Sequence, residues 1–264
     1  MMKLKKRGIH AVFARGKQGK ETAIIALAGN PNTGKSTVFN GLTGLNQHTG
    51  NWPGKTVVIA KGNFTYKNKQ FTLVDLPGTY SLLANSADEQ VARNFICFGN
   101  PDATVVVVDA TCLERNLNLV LQVMEITPKV ILCVNLVDEA KRKKLEINFA
   151  KLAELLGIPV VPTAARDKVG LEALKEEIYQ MVFAAKLPQP RPVKYHERIE
   201  KAVARIQKKI DPYIRGGLNS RWVALRLLDG DQSILTEIEN YLQSMSGQNT
   251  EAYPHSLKVV KCCD

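Results

Sequence analysis

Six apolar, β-branched runs punctuate the front of the chain: TAIIALAG, TVVIAKGNF, FTLVDLPG, TVVVVDA, KVILCVN and IPVVPTA. Stretches of mixed polarity, long enough for helices, separate most of them. Runs rich in Val and Ile on both faces suit strands covered on both sides, so the alternation predicts an α/β domain with a mostly parallel sheet between helical layers. The second and third runs are separated only by a polar turn around Lys67 and Lys69, which predicts one antiparallel hairpin. The pattern breaks at LPQPRPVKY, whose three prolines remove backbone donors and interrupt helix. Beyond it Ile199, Val203, Ile206 and Ile210 recur at three- and four-residue spacing, and RWVALRLLDGD and ILTEIENYL continue that period. The predicted organisation is an arm at 1–21, an α/β domain at 22–186, a Pro-rich linker at 187–194, a small all-helical domain at 195–246 and a tail at 247–264.

Composition narrows the class. The 264 residues are 45% hydrophobic, as in ordinary globular chains, and no run approaches the ~18 uninterrupted apolar residues of a membrane span. The net charge is +11, and seven Lys or Arg with no acid stand in the first twenty residues. That start has no continuous apolar stretch of the secretory kind, so the expected location is intracellular. Such an arm would meet anionic lipid or RNA, or simply stay solvated. The five cysteines lack zinc-site spacing. Cys112 and Cys133, in or beside apolar runs, are expected in the core, whereas Cys262 and Cys263 would hold a metal or remain reduced thiols.

Four short motifs carry the chemistry, each after an apolar run. GNPNTGKS at 29–36 fits G-x-x-x-x-G-K-[ST] and leads into a helix-like segment. Gly29 and Gly34 let the backbone N–H groups of the loop (Asn30, Pro31, Asn32 and Thr33 between them) close round phosphates. Lys35 supplies a point charge, Ser36 a hydroxyl for Mg²⁺, and Thr37 follows in the first helical turn. In DLPG, at 75–78, Asp75 at a strand end would hold Mg²⁺ through water, and the Gly78 N–H would meet the γ-phosphate. In NLVD, opened by Asn135, the Asp138 carboxylate would accept both N1–H and N2–H of guanine, a donor pair that adenine lacks. TAAR supplies Thr163, Ala164 and Ala165, with the Ala165 N–H aimed at guanine O6. Between the first two motifs QHTGNWPGKTV reads as a switch loop whose Thr56 closes over Mg²⁺. This order, at the carboxyl ends of strands, is where open α/β sheets bind ligands, and it predicts a Mg²⁺-dependent site for GTP and GDP.

At this point the residues carry a family. GNPNTGKST, GNWPGKTV, DLPGTYSL, VNLVDEAKRKK, LLGIPVVPTAAR and RWVALRLLDGD resemble the N-terminal cytosolic part of the ferrous-iron transport protein B family, over residues 22–242. The resemblance implies a Ras-like P-loop GTPase domain followed by a helical domain linked to nucleotide release, with GTP hydrolysis switching ferrous-iron uptake across the bacterial inner membrane. It implies a membrane-embedded iron-permease part in the parent protein, of which this chain would be a soluble piece. A small cytosolic accessory protein and a homo-oligomer are the further partners it leaves open, and no nucleic acid is expected. It also implies a K⁺ site, with Asn32 as side-chain ligand and the Gly50 and Trp52 carbonyls completing a cage when Thr56 closes. Potassium would then do what an arginine finger does elsewhere, since neither the P-loop nor the NWPG segment contains an arginine.

Two departures from the family qualify the expectation: Ala164 stands where the family has a serine, which removes a hydroxyl beside the base, and the basic first twenty residues exceed the family's usual short start. Thr79 stands where many GTPases place a water-orienting glutamine, which predicts slow intrinsic hydrolysis. Two rival readings remain at this stage. An RNA-associated GTPase would give the arm a role, but the segment after the linker lacks a KH-type GxxG loop and interleaved aromatic and basic residues. A switch module with negligible turnover is the other.

Overall fold

The computed structural model describes residues 22–45, 47–51, 57–83, 86–184, 186–214 and 217–245, with the backbone alone at 47–49, 51, 58 and 245. The chain divides into two compact units between Val193 and Lys194.

The first unit is built on a seven-stranded sheet. Its strands are β1 (Thr22–Gly29), β2 (Gln47–Asn51), β3 (Val58–Tyr66), β4 (Lys69–Asp75), β5 (Ala103–Asp109), β6 (Val130–Asn135) and β7 (Val160–Pro162), in the order β2-β3-β4-β1-β5-β6-β7. The pairs β4-β1, β1-β5, β5-β6 and β6-β7 are parallel. The predicted hairpin is β3-β4, closed by Lys67 and Asn68 at φ 47° and 58°, the double left-handed turn that matches strand twist. A second antiparallel pair, β2-β3, falls inside the expected switch loop. QHTGN has no alternating apolar pattern because β2 lies at the sheet's edge and is held by its backbone.

Side chains alternate across the sheet. Ala23, Ile25, Leu27, Val105, Val107, Ile131 and Cys133 face one way, into a core completed by Phe39 and Leu42 of α1 (Lys35–Thr43) and Leu174 and Ile178 of α6 (Leu171–Val182). Gly41 permits that approach, since a Cβ there would lie 2.6 Å from a Leu171 methyl. The opposite residues, among them Ala26, Val106 and Val108, are buried on the side of α2 (Ala87–Phe98) and α3 (Leu113–Ile126), whose Phe95, Leu119 and Val123 are also buried. Two short helices, α4 (Val137–Arg142) and α5 (Phe149–Leu156), flank β6 and β7. The predicted linker is not a free strap: Arg191 N–H donates to Leu156 O at 2.9 Å, and the left-handed Gly157 leaves room for the Gln189 carbonyl.

The second unit contains α7 (Glu197–Ile210), α8 (Ser220–Asp229) and α9 (Gln232–Met245). Val203, Ile206, Ala224 and Leu225 form its small core, while Ile199, on the expected stripe, is 40% exposed. Arg221 grips Glu200 through both guanidinium nitrogens at 2.7 and 2.8 Å, and Tyr195 N–H donates to the same carboxylate at 2.8 Å. These partners hold the Glu200 carboxyl down at about 2, Arg221 contributing most. No helix among the described residues is long and apolar enough to cross a membrane.

Candidate functional site

The five-residue turn from β1 to α1 is shaped by what surrounds it. A Cβ on Gly29 would lie 2.5 Å from the Val107 carbonyl oxygen, so the chain passes β5 only as glycine. Asn32 at φ 65° and Gly34 at φ 77° are both left-handed, the alternation that turns successive N–H groups into an anion-binding nest at a helix N-terminus. The Thr33 hydroxyl braces the turn by donating to Asn30 O at 2.9 Å. The Asn32 side chain is exposed and takes part in no hydrogen bond among the described residues. Ser36 and Thr37 are exposed in the first turn of α1.

The Lys35 ammonium pairs directly with the Asp75 carboxylate, and both side chains are largely buried. Burial pushes the Asp75 carboxyl up from its ordinary value, and Lys35 opposes that rise. A buried carboxylate is stabilised by a neighbouring cation, which Lys35 Nζ supplies. The DLPG loop lies on the P-loop: Thr79 N–H donates to Gly29 O at 3.2 Å, and a Cβ on Gly78 would stand 3.5 Å from Pro31. Thr79 is 4% exposed, and its hydroxyl donates to Ser81 O at 2.6 Å.

The opposite side is organised by Asn135, buried at the end of β6. Its Nδ2 donates to Thr33 O at 3.0 Å, and its Oδ1 accepts from the Thr163 hydroxyl and from Ala165 N–H, each at 3.1 Å. A single amide therefore joins the P-loop to the TAAR loop. The fit is close: a Cβ on Gly34 would fall 2.3 Å from Asn135 Nδ2. Leu136 then takes φ 62° and starts α4, which carries Asp138 in its first turn. Asp138 is half-buried, and Arg142 donates to its Oδ2 at 3.0 Å. The TAAR loop closes through paired backbone bonds between Ala164 and Val169, at 3.1 and 3.2 Å. Gly170, at φ 80°, is required where the chain passes the Pro162 carbonyl.

Of the expected residues, Gly29, Asp75 and Asn135 end β1, β4 and β6, and Asn30, Pro31, Asn32, Thr33, Gly34, Lys35, Ser36, Thr37, Gly78, Asp138, Thr163, Ala164 and Ala165 stand in the loops at the carboxyl ends of β1, β4, β6 and β7, or in the first turn of a helix that such a loop begins. Thr56 and Trp52 lie outside the described residues. Gly50 belongs to β2, paired with Ile59, and is not part of a loop. Ala165 N–H, expected to face a guanine oxygen, is taken up by Asn135, because that buried acceptor has to be satisfied. Cys112 is exposed rather than in the core, since it precedes the first turn of α3. Cys133 is buried as expected, and burial pushes its thiol up to about 12. Sequence reasoning missed the joining role of Asn135, whose partners lie up to 102 positions away.

Comparisons with known proteins agree with one another. Residues 23–178 match the family model described as Ferrous iron transport protein B, and residues 195–254 match the model of the FeoB cytosolic helical domain. The Fe(2+) transporter FeoB of Methanocaldococcus jannaschii is 44% identical over 216 residues, covering 82% of this chain and 32% of that protein. The chain spans a third or less of the length of these curated relatives, 32% of the Methanocaldococcus jannaschii protein and 27% of that of Shigella flexneri. Among solved structures, the cytosolic domain of the T. maritima FeoB iron transporter in a GDP form is 39% identical with a TM-score of 0.76, covering 83% of this chain and 85% of that one. Its GMPPNP form is 38% identical with a TM-score of 0.74, covering 83% and 86%.

Proposed function

Because this chain belongs to the ferrous iron transport protein B family, we propose that it binds GTP and GDP and hydrolyses GTP, as the nucleotide switch of a ferrous-iron transporter. The observation that carries this reading is the Asn135 amide, which joins the phosphate nest to the TAAR loop and sets Asp138 beside them. In this reading the Asp138 carboxylate would meet the donor edge of the base. The structural relatives with GDP and GMPPNP support the same ligand class.

The donor set fits Mg²⁺. Ser36 would ligate it directly, Asp75 would hold it through water, and Thr56 would complete the shell. The buried Asp75 carboxylate, neutralised here by Lys35, is the observation in favour. Bound there, Mg²⁺ would neutralise charge on the β- and γ-phosphate oxygens. Lys35 would then leave Asp75 for the phosphates, while Gly78 offers its N–H to the γ-phosphate and Asp138 selects the base. The exposed Asn32 side chain, without a hydrogen bond among the described residues, supports a K⁺ site with the Gly50 and Trp52 carbonyls, Gly50 lying on the edge strand β2. The parent protein would add a membrane-embedded iron-permease part at the bacterial inner membrane, and a small accessory protein or a second copy as partner.

The test is phosphate release from GTP with Mg²⁺ in KCl or NaCl at matched ionic strength. Turnover should be at least about tenfold faster in KCl, against the ~10³ to 10⁵ of an arginine finger. Asn32→Ala should lose the difference. Equal rates in the two salts would remove potassium from the proposal, and no GTP turnover in either would remove hydrolysis.

A further inference from the structure

We infer that Gln122 and Arg115 of α3 form a clamp that holds the segment after DLPG in an off position, so that these two residues set the balance between triphosphate and diphosphate states. The inference rests on the guanine-nucleotide reading above. The two side chains are seven positions apart, two helical turns, and so share one face of α3. Gln122 Oε1 accepts Leu82 N–H at 2.7 Å and the Ser81 hydroxyl at 3.4 Å. The Arg115 guanidinium lies over the Tyr80 ring, 4.7 Å from its centroid. Two independent contacts therefore grip three consecutive residues, starting two positions after Gly78.

The segment is also closed on itself. Ser81 N–H donates to the Thr79 hydroxyl at 3.2 Å, that hydroxyl donates to Ser81 O, and Leu83 N–H donates to the Ser81 hydroxyl at 3.0 Å. Thr79 is thereby buried with its hydroxyl turned into its own loop. A residue so held cannot face water attacking a γ-phosphate, and Lys35 is at the same time committed to Asp75. The clamped arrangement is consequently a resting one. A contact made only in one state stabilises that state, and its removal shifts the population to the other.

Gln122→Leu keeps the packing volume and removes the acceptor, whereas Gln122→Glu keeps an acceptor for Leu82 N–H. The affinities of the full chain for fluorescent GDP and GMPPNP would be measured for wild type and each variant, together with GTP turnover. Gln122→Leu should raise the GMPPNP-to-GDP affinity ratio about fivefold, the shift made by losing one hydrogen bond of ordinary net strength, and should raise turnover with it. Gln122→Glu should stay at or below the wild-type ratio. Arg115→Ala, at an exposed position that leaves the core untouched, should move the ratio the same way by about twofold. Wild-type binding with an unchanged ratio in both Gln122→Leu and Arg115→Ala would overturn the clamp and leave the functional reading standing. Absence of guanine-nucleotide binding by wild type would overturn that reading and the clamp with it.

Discussion

The two halves of the site solve their polar bookkeeping in different ways. On the base side, Asn135, Thr33, Thr163 and Ala165 satisfy one another through buried bonds that no ligand has to make or break. On the phosphate side, Lys35 and Asp75 are bonded to each other, and the segment from Thr79 to Leu83 is bonded to itself and to α3. If the proposed assignment holds, the first half would keep its bonds when a nucleotide binds and the second would exchange partners. A nucleotide should then be identified by the half whose bonds persist and read out by the half that rearranges.

The largest effect expected is at Lys35. Lys35→Ala removes the phosphate charge and strands Asp75 in a buried position, so triphosphate affinity should fall by more than about a hundredfold and the ligand-free fold should lose about 3 kcal/mol. Calorimetric titration with GTP and thermal unfolding read the two losses separately. Retained Mg²⁺-dependent GTP affinity would break the comparison at its phosphate half.

Asn135→Ala comes next. It takes the Asn135 amide from the Thr33 carbonyl and the Ala165 N–H and leaves the Thr163 hydroxyl only the Cys133 thiol, and should weaken GDP and GTP alike by about a hundredfold, roughly 3 kcal/mol. The equality matters, because loss in the preorganised half should not distinguish the γ-phosphate. A selective loss of GTP would show that Asn135 belongs to the rearranging half.

The smallest effect lies in the second unit, which makes none of these exchanges. The Glu200 carboxyl is held well below its ordinary value by Arg221, so its stabilising contribution is complete above about 4.5 and disappears as pH falls from there through about 2. Buried Trp222 reports on this unit, and with Trp52→Phe its fluorescence becomes the only tryptophan signal. Unfolding should become easier between pH 5 and 3 in that background, and adding Glu200→Gln should flatten the dependence. An unchanged slope would remove the Glu200 and Arg221 pair from the account of this unit.

Sequence reasoning reached the fold where side-chain pattern and backbone demand coincide. The Val- and Ile-rich runs became β1, β5 and β6, and the polar turn at Lys67 and Asn68 closed the expected hairpin. Strand β2 was illegible because QHTGN is held by its backbone at the sheet's edge, where no pattern is required. The motifs could be recognised because phosphate and base chemistry demand particular residue types at short spacing. The bond between two of those residues was not visible: Lys35 and Asp75 were each assigned to a partner outside the chain, and they find each other across 40 positions. Gln122 and Arg115 escaped notice because nothing in LERNLNLVLQVMEI separates a clamp from an ordinary amphipathic helix.

The central claim is that a carboxylate beside a rigid junction selects guanine, and the most direct measurement is equilibrium binding of GDP, ADP and XDP to wild type and to Asp138→Asn. Wild type should prefer GDP over both others by at least about a hundredfold, since without two base donors the Asp138 carboxylate keeps only Arg142 as a partner. In Asp138→Asn the amide can donate to the oxygen that replaces the N2 amine, so XDP should overtake GDP. ADP binding as tightly as GDP to wild type, or a variant whose ranking of the three nucleotides is unchanged, would contradict the account.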